Sequence, residues 1–407
     1  MSGPPLVSVC IPAFNHEAYV AEAVLSALEQ DVSDIEVIVT DDNSTDATVA
    51  RIEAIQDPRI RLFRNERNLG PSATANLNFS RARGQFIALL PSDDVFLPGK
   101  LSKQLAAFAR QPDLGTVFSW MLPTNQVGEP ITPISPYFEP KGVDRVVALR
   151  HMFHVGNIFS APTAMIRRDL LLQVGRLEPC LWQTQDYDLW VRLCIAAPIQ
   201  VLEEPTVAYR VLDGGANMHV SNPDTDARLA WEMQRVRQRF TLLENRELLI
   251  QVLPETRPLL QKGLSASSAL AIAALESPSL AARGFGVDSL YDALGREDEA
   301  VILEQAGYGN RFFFKKLAEV DPMRTRAVLD PEMVSRYRQI TALYSELESS
   351  YRSLLTLHED LHVAYIGLAA EKQELCAYLE QVIEAKSWWQ AQAENWKSLA
   401  EERNSQR

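Results

Sequence analysis

Three constellations in the 407-residue sequence, the first drawn from two short stretches, group residues able to do chemistry. In the first, IPAFN (Ile11–Asn15) and TDDNSTD (Thr40–Asp46) supply Phe14 and Asp42. A planar aromatic covers a nucleobase, and a carboxylate accepts the ring N–H of uracil, thymine or guanine. The same residues also read as turn chemistry, with Pro12 ending a strand and Asp42-Asn43-Ser44-Thr45 capping the next helix. In the second, LLPSDDVFLP (Leu89–Pro98), Asp93 and Asp94 stand together after an apolar run. Adjacent carboxylates repel unless a cation joins them. Oxygen ligands with room for phosphate oxygens suit Mg²⁺ or Mn²⁺, which would neutralise a diphosphate leaving group. A surface turn carries Asp-Asp as readily. In the third, QTQDYDLWVRL (Gln183–Leu193), Asp186 and Asp188 precede Leu189, Trp190 and Leu193 at helical spacing. A carboxylate at a helix N-terminus is kept ionised by the helix dipole, as a general base needs to be, although both aspartates also simply favour a first helical turn.

The elements that would position these residues alternate in type. β-branched runs at Val7–Ile11, Ile35–Thr40, Ile60–Phe63, Phe86–Leu90 and Thr116–Trp120 are separated by helix-period segments at Glu17–Leu28, Thr45–Ile55, Ser72–Arg81 and Lys100–Ala109. This is the pattern of βαβ units and a mainly parallel sheet, whose carboxyl edge receives each polar junction. Leu122–Pro140, with prolines at 123, 130, 133, 136 and 140, predicts a loop. A second α/β stretch follows, with a strand at Thr163–Ile166, a helix opening near Asp186 and an end around Tyr209. Composition then shifts near Pro223, dividing the chain into an α/β domain (1–223), a helical domain (224–333) and a coiled coil (334–407). In the last part Ile340, Leu347, Leu354, Leu361, Leu368, Leu375, Val382, Trp389 and Trp396 recur every seven residues. Bulky or polar companions such as Tyr344, Tyr351, His358 and Lys372 weaken that seam. A homo-oligomer through residues 340–400 is expected. The rival is a membrane-surface anchor built on Trp388, Trp389, Trp396, Lys386 and Lys397, which Glu384, Glu394, Glu401 and Glu402 oppose.

Composition bounds the rest. With 40 Lys and Arg against 53 Asp and Glu the net charge is −13, the wrong sign for a nucleic-acid binder. Cys10, Cys180, Cys194 and Cys376 are too scattered for a disulfide ladder or a zinc site. No signal peptide and no apolar run of membrane-spanning length is read, so the expected location is cytoplasmic, with peripheral association at the inner face of the membrane as the variant.

Together the three constellations resemble the family 2 nucleotide-diphospho-sugar glycosyltransferases of the GT-A fold, over about residues 6–212. The pieces come in the family's order: VSVCIPAFN, VIVTDDNSTDAT, NLGPSATANLNFSRARGQFIALLPSDDVFLPGKLSKQ, TAMIRRDLLLQVG, QDYDLWVRL and AYR. The resemblance implies an α/β fold with a Rossmann-like mixed sheet, here followed by a helical domain and a long C-terminal coiled-coil helix. It implies that Pro12, Phe14 and Asp42 line the nucleobase pocket, that Asp94 holds Mg²⁺ or Mn²⁺, and that Asp93 sits beside it near the ribose or a metal-bound water. Asp186 would be the base that deprotonates an acceptor hydroxyl, with inversion at the anomeric carbon. The implied donor is a UDP-, dTDP- or GDP-sugar, and the implied acceptor a glycan, a lipid-linked glycan or a protein in surface glycan or glycoconjugate synthesis. This chain departs from the family pattern in having Gln185-Asp186 for Glu-Asp, Ser92-Asp93-Asp94 for an acid-any-acid triplet, and Ala75 where an arginine is frequent. After Tyr209-Arg210 the first histidine is His219, to which no role is assigned. Two other classes compete. A nucleotidyltransferase would want a Gly-rich basic loop near the first strand, but IPAFNHEAYV has neither glycine nor lysine. A catalytically degenerate scaffold working through its coiled coil would have no need to keep Asp42, Asp94 and Asp186 together.

Overall fold

One mixed sheet carries the whole arrangement. Its strands are β1 (Val7–Ala13), β2 (Ile35–Asp41), β3 (Ile60–Arg64), β4 (Phe86–Leu89), β5 (Val95–Phe96), β6 (Thr116–Thr124), β7 (Met165–Arg167) and β8 (Ile199–Arg210). They lie in the order β3-β2-β1-β4-β7-β6-β8-β5. Strands β3, β2, β1 and β4 run parallel, as do β6 and β8, while β7 is antiparallel to both its neighbours and β5 to β8. The computed structural model describes residues 3–131, 139–212 and 223–321, and scattered positions between 336 and 390. Residues Met1–Pro322 form one compact unit and Met323–Arg407 a second.

The inner strands are apolar on both faces because helices cover both sides. Val7, Val9 and Ile11 of β1, with Val37 and Val39 of β2, belong to one core, while Cys10, Ile38 and Ile87 belong to the other. Three helices follow the first three parallel strands: α1 (Val20–Leu28), α2 (Thr48–Glu53) and α3 (Pro71–Arg81). Beyond β5 comes α4 (Lys100–Arg110), and between β6 and β8 lie α5 (Arg145–His154), α6 (Arg168–Val174) and α7 (Gln185–Ala196).

The sheet departs from the sequence expectation at its far edge. Strand β6 continues past Trp120 through Leu122, Pro123 and Thr124, residues expected in a loop. Pro123 is tolerated because β7 pairs only with Thr116 and Val117 of β6, and the short return at Thr124–Pro130 uses the Pro123 carbonyl, which accepts the Ile131 N–H at 2.9 Å, and needs no N–H from it. Strand β8 was not foreseen. Its pairing with β6 shifts register around Trp120 and Pro205, which breaks the alternation that would reveal it.

Among the described residues, seven α-helices follow in the first unit, with short 3-10 turns between some of them: α8 (Pro223–Arg237), α9 (Arg246–Val252), α10 (Arg257–Gln261), α11 (Ala266–Leu275), α12 (Leu280–Leu294), α13 (Glu297–Gln305) and α14 (Asn310–Val320). Position 223 marks a change from mixed to all-helical structure, yet the core runs across it. Val236, Phe240, Leu249, Val252 and Phe285 pack in one cluster with Phe118, Phe153 and Trp190. Helices α11 and α12 approach closely at Gly286, where a Cβ would lie 2.8 Å from the carbonyl oxygen of Ala271. Cys10, Cys180 and Cys194 are free thiols, and burial pushes Cys194 up to about 12. Among the described residues no helix is long and apolar enough to cross a membrane. Every described position between 336 and 390 is helical, and Ile340, Leu347, Leu354, Leu361, Leu368 and Leu375 are exposed. Val382, Trp389 and Trp396 lie outside the described residues.

Candidate active site

Parallel order places the ends of β1, β2 and β4 side by side, with the chain leaving β1 for β2 on one flank and β4 lying on the other. Such a reversal opens a crevice at the carboxyl edge of an α/β sheet. Phe14 follows β1, Asp42 follows β2, and Asp93 and Asp94 follow β4. Pro12, within β1, is half-buried, and Phe14 is 42% exposed, with its ring open to solvent.

Two asparagines make the loops above β1 and β2 turn sharply. Asn15 and Asn43 have φ values of 50° and 65°, a left-handed conformation that asparagine enters more readily than most residues. The loops are stitched together. Asn15 N–H donates to Ser44 Oγ at 2.9 Å, and Thr45 N–H donates to Asn15 Oδ1 at 2.9 Å. His16 ties the same loop to the β4 loop through Nδ1 and Ser92 Oγ, 2.8 Å apart.

Asp42 is buried and already works as an anchor. Its Oδ1 accepts Asn65 Nδ2 at 2.7 Å and Leu69 N–H at 2.9 Å, and its Oδ2 accepts Gly70 N–H at 2.8 Å. A carboxylate has about four acceptor positions, so one remains for a ligand on Oδ2. Gly70 needs to be glycine: its φ is 86°, and a side chain there would point at the Trp182 ring, 3.6 Å from the Cβ position.

Asp94 is 2% exposed, and Asp93 is half-buried. Asp94 Oδ1 accepts the backbone N–H of Arg210 at 2.9 Å. Arg210 in turn donates from Nε to the Asp93 carbonyl oxygen at 2.9 Å and from Nη2 to Glu22 at 2.7 Å, and lies over the Tyr19 ring at 4.8 Å. Burial, and then the charge of Asp93, hold the Asp94 carboxyl well above the usual carboxylate range, against the Arg210 N–H and guanidinium. Mg²⁺ is commonly held by one or two carboxylates with substrate phosphates completing its shell, so the donor set suits such an ion. Among the described residues no cluster of three or more His, Cys, Asp or Glu is placed to hold a metal by itself.

Asp186 lies in the first turn of α7 and is half-buried. Its Oδ1 accepts Tyr187 N–H at 2.7 Å, and its Oδ2 accepts Asn157 Nδ2 at 3.2 Å. The helix is fixed from below by Trp190, whose ring meets Phe118 of β6 edge-on at 5.1 Å, and by the Tyr187 hydroxyl donating to the Met152 carbonyl oxygen. The segment leading into α7 reaches the Asp42 side of the crevice. Asn76 of α3 exchanges two hydrogen bonds with the backbone of Leu177, and Trp182 sits against Gly70. Asp188 does something else: buried, it accepts Arg192 at 2.7 Å and Arg239 at 2.6 Å, an internal ion network.

Sequence reasoning missed several neighbours. Arg210 was visible only as part of AYR, and His16, Glu22, Asn157 and Trp182 carried no spacing signal. His219 lies outside the described residues.

The family model described as glycosyl transferase family 2 matches residues 8–175. An uncharacterized glycosyltransferase of Methanocaldococcus jannaschii is 31% identical over 213 residues, covering 51% of this chain and 71% of that protein. The succinoglycan biosynthesis protein ExoO of Rhizobium meliloti is 42% identical over 101 residues, 25% of this chain and 29% of its own length. Among solved structures, TarS of S. aureus in complex with UDP-GlcNAc superposes with a TM-score of 0.48 at 20% identity, covering 82% of this chain and 92% of that one.

Proposed function

The chain belongs to glycosyl transferase family 2, and from that premise we propose that it is an inverting, metal-dependent enzyme that moves a sugar from a nucleotide-diphosphate sugar to an acceptor hydroxyl. The observation that supports this reading best is the gathering of Phe14, Asp42 and the Asp93–Asp94 pair at the ends of three neighbouring parallel strands. The Asp186 segment borders them through Trp182 and Gly70. In this reading Pro12 and the open Phe14 ring receive the base, and Asp42 accepts a ring N–H with the position its three protein donors leave unused. Asp94, with Asp93 beside it near the ribose or metal-bound water, would hold Mg²⁺ or Mn²⁺. When bound, that ion supplies positive charge to the departing diphosphate. Asp186 takes the proton of the acceptor hydroxyl as its oxygen bonds to the anomeric carbon. The bond from that carbon to the phosphate oxygen breaks, its electron pair leaves with the nucleoside diphosphate, and one in-line displacement inverts the centre.

The base is uracil, thymine or guanine, since each offers a ring N–H to Asp42. The acceptor is a glycan, free, lipid-linked or on a protein, and the pathway is surface glycan or glycoconjugate synthesis, a reading helped by the succinoglycan relative. Residues 340–400 would bring copies of the chain together at a cytoplasmic site, with peripheral association at the inner membrane face as the alternative role of the same helix. The test is thermal unfolding of the whole chain with UDP, GDP, dTDP and CDP, with Mn²⁺ and with chelator. A ligand at 100 times its Kd stabilises by about 2.7 kcal/mol. One diphosphate is expected to raise the melting temperature in Mn²⁺ only. No shift with any of the four would overturn the reading.

A further inference from the structure

The segment that presents Asp186 is tied to a residue far away in the sequence. Glu232, on α8, is 1% exposed. Its Oε1 accepts Trp182 N–H at 2.9 Å, and its Oε2 accepts Gln183 N–H at 2.9 Å, Thr184 N–H at 3.0 Å and the Thr184 hydroxyl at 3.1 Å. Three successive amides immediately before α7 thus converge on one carboxylate. Burying such a group is unfavourable unless its oxygens are well supplied with donors, and hydrogen bonds to an ionised acceptor are among the stronger ones. Thr184 is the N-cap of α7, yet its hydroxyl donates to Glu232 and makes no capping bond to the helix. The entry to α7 is therefore held from α8.

A second buried charge on α8 supports the other side of Asp186. Arg237 donates to the carbonyl oxygens of Phe153 at 3.0 Å, Val155 at 3.4 Å and Met233 at 2.7 Å. Two residues beyond Val155 comes Asn157, which donates to Asp186.

We propose that Glu232 is a positioning residue for sugar transfer, fixing the Trp182–Thr184 segment so that Asp186 meets the acceptor hydroxyl. This rests on the reading of Asp186 as the base. A misplacement of about 1 Å at a reacting group costs on the order of 100-fold in rate. Glu232→Gln keeps size but has a single acceptor oxygen, and its amide N–H group would face a backbone N–H. The expected result is a fall in kcat of about 10- to 100-fold, with donor KM and nucleoside diphosphate affinity within about threefold.

The deciding measurement is a double-mutant cycle with Asp186→Asn. If Glu232 acts through Asp186, adding Glu232→Gln to Asp186→Asn lowers kcat little further, by less than about threefold, whereas a general loss of structure would multiply the two effects. Multiplicative losses, or an unchanged kcat in Glu232→Gln beside an impaired Asp186→Asn, would overturn the positioning role alone. A fully active Asp186→Asn would overturn the base itself, and with it this inference. Should Glu232→Gln fail to fold, Thr184→Val removes one donor to the same carboxylate. Its expected loss of about 3- to 10-fold in kcat is likewise absent on the Asp186→Asn background, and full activity in Thr184→Val would overturn the proposal.

Discussion

Asp94 carries a conflict that a cation would resolve. Burial and the neighbouring Asp93 disfavour its ionised form, so its native pKa is raised above the unfolded value and the charge works against the fold. Asp94→Asn keeps an oxygen for the Arg210 N–H and carries no charge. It is therefore expected to melt no lower than the wild-type chain in chelator, while transfer in Mn²⁺ should fall at least about 100-fold if Asp94 is the metal ligand proposed, since such a ligand is worth several kcal/mol. Melting curves and a transfer assay on the same samples check both halves. Phe14 and Asp42 separate in the same way. Phe14 is open to solvent, so Phe14→Ala should leave stability unchanged and weaken nucleotide binding by the roughly 1–3 kcal/mol of a stacked base. Asp42→Ala also removes an acceptor from Asn65, Leu69 and Gly70; Asn65 keeps Thr74 Oγ1, Gly70 keeps Asn68 Oδ1 and Leu69 is exposed, so the cost is about 1–3 kcal/mol in all. It should lower both melting temperature and affinity, and a Phe14→Ala chain with full nucleotide affinity would move the base elsewhere.

Between elements, the sheet depends on a second carboxylate at the edge opposite the crevice. Glu36 of β2 accepts Ser8 Oγ of β1 at 2.7 Å, Arg83 N–H at 2.8 Å, and the guanidinium groups of Arg61 and Arg83 at 2.6 and 2.9 Å. Burial pushes its pKa up, but these donors together outweigh it and hold the carboxyl below its ordinary value. A depressed native pKa means stability that is present above the unfolded value of about 4.3 and lost as pH falls through the lower native one. Glu36→Gln should therefore be less stable than wild type at pH 7, with the gap closing below about pH 4. A gap that stays constant in acid urea titrations would remove Glu36 from this role. The strands that this end ties together were legible in the sequence because each is a short β-branched run between polar junctions, and the junctions carry the candidate site. What stayed hidden was set by distance along the chain. β8 pairs with β6 through a register shift, and Glu232 and Arg237 stand on a helix whose charged sequence reads as a solvated surface although both side chains are buried. Their partners lie about 50 and 80 residues away, and no local period records them.

At the scale of the chain, the composition break at 223 and the break in packing do not coincide. Phe153, before it, meets Phe240 at 5.0 Å between ring centroids and Phe285 at 6.4 Å, both after it. Losing a single buried phenylalanine costs about 3–5 kcal/mol, and whole domains are stable by only about 5–15 kcal/mol. A chain ending at residue 222 would lose Val236, Phe240, Leu249, Val252 and the Glu232 carboxylate at once, and is expected to be recovered unfolded or aggregated. A chain ending at 322, where the first compact unit closes, should fold and bind nucleoside diphosphate like the full one. The remaining difference is association. The heptad in the sequence runs over 56 residue steps from Ile340 to Trp396, which would rise about 84 Å at 1.5 Å per residue if helical throughout. The described apolar positions from Ile340 to Leu375 are exposed, an arrangement that a second copy would bury. Sedimentation at micromolar concentration should thus find an oligomer for the full chain and a monomer for the chain ending at 322. A monomeric full chain that pellets with anionic vesicles would assign the same helix to a membrane surface, and a folded, nucleotide-binding chain ending at 222 would show the helical segment to be dispensable to the site.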